Sequence, residues 1–136
     1  MRLRILSCLL LLAIGIDARA SDLYATINLL RDGEDRCNAA QPLPPLTPQA
    51  RLERVARDLA RGNKLEQSLK AAGYRATRVR ALTLGGNVSG AEVAEALEKQ
   101  GFCQQLQDAA LTEVGIYQDA RRVWIVMAAP FAPSVA

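Results

Sequence analysis

The chain has 136 residues, half of them hydrophobic, with a formal charge of +3 and no histidine. That length suits one domain. The missing imidazole excludes histidine-ligated metal sites and histidine general bases for a serine or cysteine nucleophile.

Arg2 and Arg4 precede an almost unbroken apolar run, Ile5 to Ile16, and Ala18-Arg19-Ala20 supplies a small-x-small cleavage pattern. This is the layout of a secretory signal peptide over residues 1–20, with an apolar core short for a bilayer of about 30 Å. An uncleaved N-terminal anchor is the alternative. Cys8 lies within the apolar run rather than just after it, so it is not placed for lipid attachment and leaves with the peptide. Cleavage removes Arg2, Arg4, Arg19 and Asp17 and leaves 14 basic and 13 acidic residues, a net of +1. A near-neutral single domain over 21–136 offers no general electrostatic case for nucleic acid or an anionic membrane. No stable membrane span is expected after cleavage, and the expected compartment is extracytoplasmic, periplasm or medium.

Ser21-Asp22 reads as a helix N-cap and acidic first turn, followed by Leu23, Ile27 and Leu30 at helical spacing until Gly33. A polar loop leads to Cys37. Pro42, Pro44 and Pro45 exclude a helix and predict an extended crossing segment anchored by Leu43 and Leu46. Thr47-Pro48 reads as N-cap and first helical residue of a second helix. Leu52, Val55, Ala56, Leu59 and Ala60 form its apolar stripe, and Gly62-Asn63 its stop. Its arginines, Arg51, Arg54, Arg57 and Arg61, suit a solvated face with near-neighbour ion pairs better than a phosphate site. A shorter amphipathic helix runs from Lys64 to Ala72 and closes at Gly73. Beyond Tyr74 the period changes: Val79, Ala81 and Thr83 alternate with Arg78, Arg80 and Leu82, as a strand or a loop. Gly85-Gly86-Asn87 predicts a turn, and Ser89 caps a helix over 90–100 with Val93, Ala94 and Leu97 on one face.

The segments Thr112–Tyr117 and Arg122–Ala128 flank a short polar turn and predict an antiparallel hairpin. Val123, Ile125 and Met127 alternate with Trp124 and Val126, so both faces of the last strand are apolar. Such a strand is usually covered on both sides. The predicted class is therefore α+β, an α-β-α sandwich whose antiparallel sheet ends in a C-terminal hairpin with helices on both faces.

Two cysteines, Cys37 and Cys103, remain in the exported portion and are most simply one disulfide. Two free thiols or a redox pair are the alternatives, the latter without C-x-x-C spacing to support it.

Several segments, in order, resemble the CAP superfamily, the cysteine-rich secretory, antigen-five and pathogenesis-related proteins. Asn28 and Arg31 match its opening "N-x-x-R" helix. Pro44 to Leu52 matches the entry to its second helix, and Ala71-Ala72-Gly73-Tyr74 the step before its Gly-Glu-Asn turn. The stretch from Cys103 to Tyr117, with Thr112-Glu113-Val114-Gly115, matches its later signature, and Trp124 to Phe131 its closing strand. The resemblance implies an α-β-α sandwich. In secreted bacterial members it also implies a disulfide between a cysteine after the first helix and one beside the second motif histidine, the positions of Cys37 and Cys103.

The family cleft carries two histidines and two acidic residues that bind a divalent metal in many members. Carried over, the first histidine falls in Gly62-Asn63-Lys64-Leu65, where the intervening loop is missing. The Gly-Glu-Asn glutamate falls on Gly86 beside Asn87, and the second histidine on Phe102. Glu113 matches a recurrent glutamate that suits an anchor at the strand entry better than a catalyst. The expectation is a non-catalytic binding or interaction domain that has lost the metal cleft, without catalytic, cofactor or metal residues, and with Glu113, Phe102 and Asn87 as residual structural or cleft positions. Its partner is expected to be a protein or a small apolar ligand. The alternatives are a metal-independent hydrolase using residual carboxylates, or a lipid- or sterol-binding protein.

Overall fold

The computed structural model describes residues 18–33, 37, 42–85 and 90–131. Its elements in chain order are α1 (Ala18–Asp32), β1 (Thr47–Pro48), α2 (Ala50–Ala60), α3 (Leu65–Ala72), β2 (Ala76–Gly85), α4 (Gly90–Lys99), α5 (Cys103–Leu106), β3 (Glu113–Gln118) and β4 (Arg122–Pro130). The strands form one sheet in the order β1-β3-β4-β2. β4 is antiparallel to both β3 and β2, while the two-residue β1 adds a parallel edge to β3.

Alternation along β4 divides the interior. Val123, Ile125 and Met127 join Leu82, Leu84, Val114 and Ile116 beneath α1, α4 and α5. Trp124, Val126 and Ala128 face the other way, against Leu52, Val55, Ala56, Ala72 and Tyr74 of the α2–α3 side. A strand with two buried faces requires helices on both, and the α-β-α sandwich supplies them.

Three local readings need correction. α1 begins at Ala18, so Ser21 lies inside the helix rather than at its cap. From Asp22 onward, where side-chain burial is described, α1 buries Leu23, Ile27, Leu30 and Arg31. Thr47 and Pro48 do not open α2. The Thr47 and Gln49 amides donate to the carbonyls of Thr112 and Val114 at 2.9 and 2.8 Å, and Pro48 sits between them where no ladder donor is needed. The cap is Gln49, whose Oε1 accepts from the Arg51 amide at 3.2 Å. Sheet pairing took the residues that local helix-start rules claimed. Finally, the polar connector after Cys103 contains the short helix α5.

β2 is a strand, with the expected division of faces, but Leu82 and Leu84 carry its burial while Ala81 and Thr83 stay exposed. Gly85 ends β2, and the rest of the expected turn after it, Gly86 and Asn87, lies outside the described residues. In the hairpin turn, Asp119 Oδ1 accepts from the amides of Arg121 and Arg122 at 2.7 and 2.8 Å. Those two bonds hold its carboxyl below the usual carboxylate range.

Candidate functional site

The stretch from Phe102 to Leu111 has little regular structure of its own, and side chains from elsewhere determine its path. Arg31 stands one turn beyond Ile27 on the buried stripe of α1 and is only 2 % exposed. Its Nε donates to the Pro44 carbonyl at 3.2 Å. Nη1 reaches the carbonyls of Leu106 and Asp108 at 2.9 and 3.1 Å, and Nη2 reaches Leu111 at 3.1 Å. One guanidinium therefore ties the proline segment, the end of α5 and the approach to β3 together. Burial pulls the Arg31 pKa down while the Asp108 charge opposes the shift. Its hydrogen bonds go to carbonyl dipoles, which compensate a buried cation.

Asn28, one turn before Arg31, acts on the same segment. Its Oδ1 accepts from the Leu46 amide at 2.7 Å and its Nδ2 donates to the Leu46 carbonyl at 3.3 Å. Tyr24 completes the series by accepting from the Ile116 amide at 3.0 Å, beyond the point where β1 stops covering the β3 edge. Gln107 Nε2 donates to the Cys37 carbonyl at 2.7 Å. The sequence signal for this clamp was an arginine and an asparagine on an apolar helix face, legible as a pattern but not as a set of bonds.

Of the residues singled out by the resemblance, Cys37, Cys103, Phe102 and Glu113 are described and are engaged in the scaffold. Cys37 and Cys103 form a disulfide with Cα atoms 5.5 Å apart, tying α5 to the loop after α1. Phe102 packs against the α1–α4–α5 core. Glu113 Oε1 accepts from the Tyr74 hydroxyl at 2.8 Å, joining the start of β3 to the segment between α3 and β2. Its anchoring partner is thus a side chain. Burial raises the Tyr74 pKa, and the bond to Glu113 and the negative charge there raise it further. Asn87 lies outside the described residues, and the structure brings Phe102 and Glu113 into different layers rather than one cleft.

Other candidates are likewise structural. Trp124 is buried, with Tyr117 beside it at 6.0 Å between ring centroids. Arg57 lies over the Tyr117 ring at 5.7 Å, Arg51 donates to the Gly73 carbonyl at 3.0 Å, and Arg61 approaches Asp58 at 3.9 Å. These are the contacts of a solvated helix face. On α4, Glu95 pairs with Lys99 at 2.9 Å. Among the described residues no group of three or more His, Cys, Asp or Glu side chains is placed to hold a metal ion. No described helix is long and apolar enough to cross a membrane.

Two surface depressions stand out. One, of about 390 Å³, lies between α1 and the proline segment and is lined by Ala25, Asn28, Leu29, Asp32, Leu43 and Pro45. Leu29 is 50 % exposed there. The other, of about 350 Å³, is lined by Arg80, Gln104, Gln105 and Asp108. Asp108 is fully engaged: Oδ2 accepts from Arg78 Nη1 at 2.7 Å and Oδ1 from the Ala110 amide at 2.9 Å. Burial raises its pKa, but those bonds and the charges of Arg78 and Arg80 outweigh it and hold the carboxyl below its usual range.

No protein-family model matches the chain, and no curated protein does. Solved structures do match. An outer surface protein of Borrelia burgdorferi aligns over 87 % of this chain and 97 % of its own, at 16 % identity and a TM-score of 0.69. A cysteine-rich secretory protein of Staphylococcus aureus aligns over 84 % of this chain at 12 % identity and a TM-score of 0.67. An extracellular protein of Bacillus anthracis containing an SCP domain aligns over 82 %, at 13 % identity and a TM-score of 0.62. This chain spans only 40 and 41 % of those two proteins. At such identities the likeness concerns the fold, and the fold is CAP-like.

Proposed function

On this CAP-like scaffold, we propose a non-catalytic, extracytoplasmic binding domain that has relinquished the metal cleft. One observation carries the reading: the two described residues expected at or beside that cleft serve packing and anchoring. Phe102 contributes to a core, and the Glu113 carboxylate receives the hydroxyl of buried Tyr74. A carboxylate so engaged and a phenyl ring in place of an imidazole supply neither a ligand set nor an acid–base pair. The Cys37–Cys103 disulfide supports an oxidising compartment, and the Borrelia and Bacillus proteins of the same fold are described as outer-surface and extracellular.

Calorimetric titration with zinc and with magnesium tests the reading. No stoichiometric sub-micromolar site is expected, and finding one would overturn it. Capture from periplasm or medium, with lipid extraction of the purified protein, tests the binding role. The apolar groove along α1 favours a small apolar ligand as a second reading, for which co-purified lipid is the expected result.

A further inference from the structure

We infer that the outer edge of β2 receives an extended segment of a partner protein, in which an acidic residue faces Arg80 and apolar residues face Ala81 and Thr83. The inference rests on the binding reading above and names the partner's chemistry. Metal titration reports on the lost cleft and not on this edge, so the two ideas fail separately.

The two edges of the sheet are unequal. β3 is covered by β1 and, beyond it, by the Tyr24 hydroxyl on the Ile116 amide. β2 is the last strand on the other side. The phase of its hydrogen bonds follows from β3 and β4. Ile116 points its amide away from β4, and the Arg122 carbonyl turns toward β3 to accept from the Asp119 amide at 3.0 Å. Alternation then turns Val123, Ile125 and Met127 toward β2, where they face Leu84, Leu82 and Arg80. Val79, Ala81 and Thr83 therefore direct their amides and carbonyls outward, and no described residue bonds them. A bulge interrupts the register between Ala76 and Arg78, but from Arg78 to Gly85 the strand is regular and contains no proline. An edge of this kind is a template for a further strand.

Side chains decide which strand fits. Thr83 and Ala81 are exposed although their β4 neighbours Trp124 and Val126 are buried, so the α2–α3 layer covers β4 and stops short of β2. An apolar partner residue opposite either of them extends that covered face. The opposite face carries Arg78 and Arg80, and the chain from Gly73 to Gly85 has no acidic residue. Asp108 answers Arg78. Arg80 is exposed and has no ion pair among the described residues. An acidic residue opposite Arg80 supplies one. Charge disfavours a second copy of this chain, because antiparallel pairing about Ala81 sets the two Arg80 side chains diagonally across one face.

Amide hydrogen exchange of the disulfide-bonded protein, followed by NMR with a pentapeptide probe, tests the proposal. Acetyl-Val-Thr-Val-Glu-Val-amide, laid antiparallel, sets its valines opposite Thr83, Ala81 and Val79 and its glutamate opposite Arg80. In the free protein the Val79, Ala81 and Thr83 amides should exchange at least tenfold faster than those of Leu82 and Leu84. Saturating peptide should slow them at least tenfold. A peptide with lysine for glutamate, and one methylated on the valine nitrogens, should each bind at least tenfold more weakly. Arg80→Glu should reverse the order of the glutamate and lysine peptides. Protection of the outer amides in the dilute free protein would show an edge already covered. Protection that rises with protein concentration, alongside a dimer mass in sedimentation, would show a second copy. Either result, no slowing by the peptide, or equal binding of all three peptides would overturn the proposal.

Discussion

The two helical layers hold the same sheet by different means. The α1–α4–α5 layer contains the irregular chain from Phe102 to Leu111, and it is fastened by a disulfide, a buried guanidinium and a side-chain amide. The α2–α3 layer contains compact helices, and α2 lies almost directly on the sheet. A Cβ at Gly115 would collide with the backbone of Leu52 and Glu53. Irregular backbone needs polar partners for each buried carbonyl, whereas a regular helix satisfies its own and can approach closely. Where the backbone leaves hydrogen bonds unmade, side chains make them; where it does not, small residues set the spacing.

The difference can be broken from either side. Arg31→Met should be the most damaging change, because it strips the donor from the carbonyls of Pro44, Leu106 and Leu111, while that of Asp108 keeps the Leu111 amide; at about 1.5 kcal/mol for each orphaned carbonyl the loss is about 4–5 kcal/mol in all. Urea unfolding would measure it. A loss under 1 kcal/mol would mean that the connector keeps its path without the clamp.

Cys37→Ser should cost about 4 kcal/mol in oxidising buffer, from the 66-residue separation that the disulfide spans. Under reducing conditions the variant and the parent should melt nearly together. Equal losses in both states would count against the disulfide as the stabilising element.

Gly115→Ala addresses the other layer. The obstructing atoms are backbone, so a helix must move; the expected loss is about 3 kcal/mol, the upper range for overpacking. A change within 0.5 kcal/mol would show that α2 shifts freely, contrary to close apposition.

Tyr74→Phe has the smallest effect, about 1 kcal/mol at neutral pH, for one hydrogen bond to Glu113. Its signature lies at high pH. Because the folded-state pKa of Tyr74 is raised, the tyrosine's contribution is complete below the ordinary value of about 10 and is lost as pH rises above it. The parent should therefore lose stability in alkali more steeply than the variant. Parallel alkaline limbs would refute the assignment.

How much of this was legible from residue order differs between the layers. The stripe of Leu52, Val55 and Ala56 and the alternation of Val123 to Met127 each match a structural period, so their burial follows from spacing. The pairing of Cys37 with Cys103 was expected from the export signal and the resemblance. Thr47-Pro48 misled because local capping chemistry and edge pairing use the same residues, and only β3 beside them decides between the two. The Gln104–Asp108 pocket was invisible because Arg80 lies on a distant strand and nothing local announces their meeting.

Residue order by itself determined the α+β class, the two-sided last strand and the absence of any imidazole chemistry. These depend on periodicity and composition, which are local. Tertiary structure alone decided that Arg31 binds carbonyls, that Glu113 receives the Tyr74 hydroxyl and that Gln105 is left with an unmet acceptor. The first two join segments far apart in the chain and the third is a bond that no described segment supplies; a hydrogen bond is defined by a distance and an angle that spacing along a sequence does not contain.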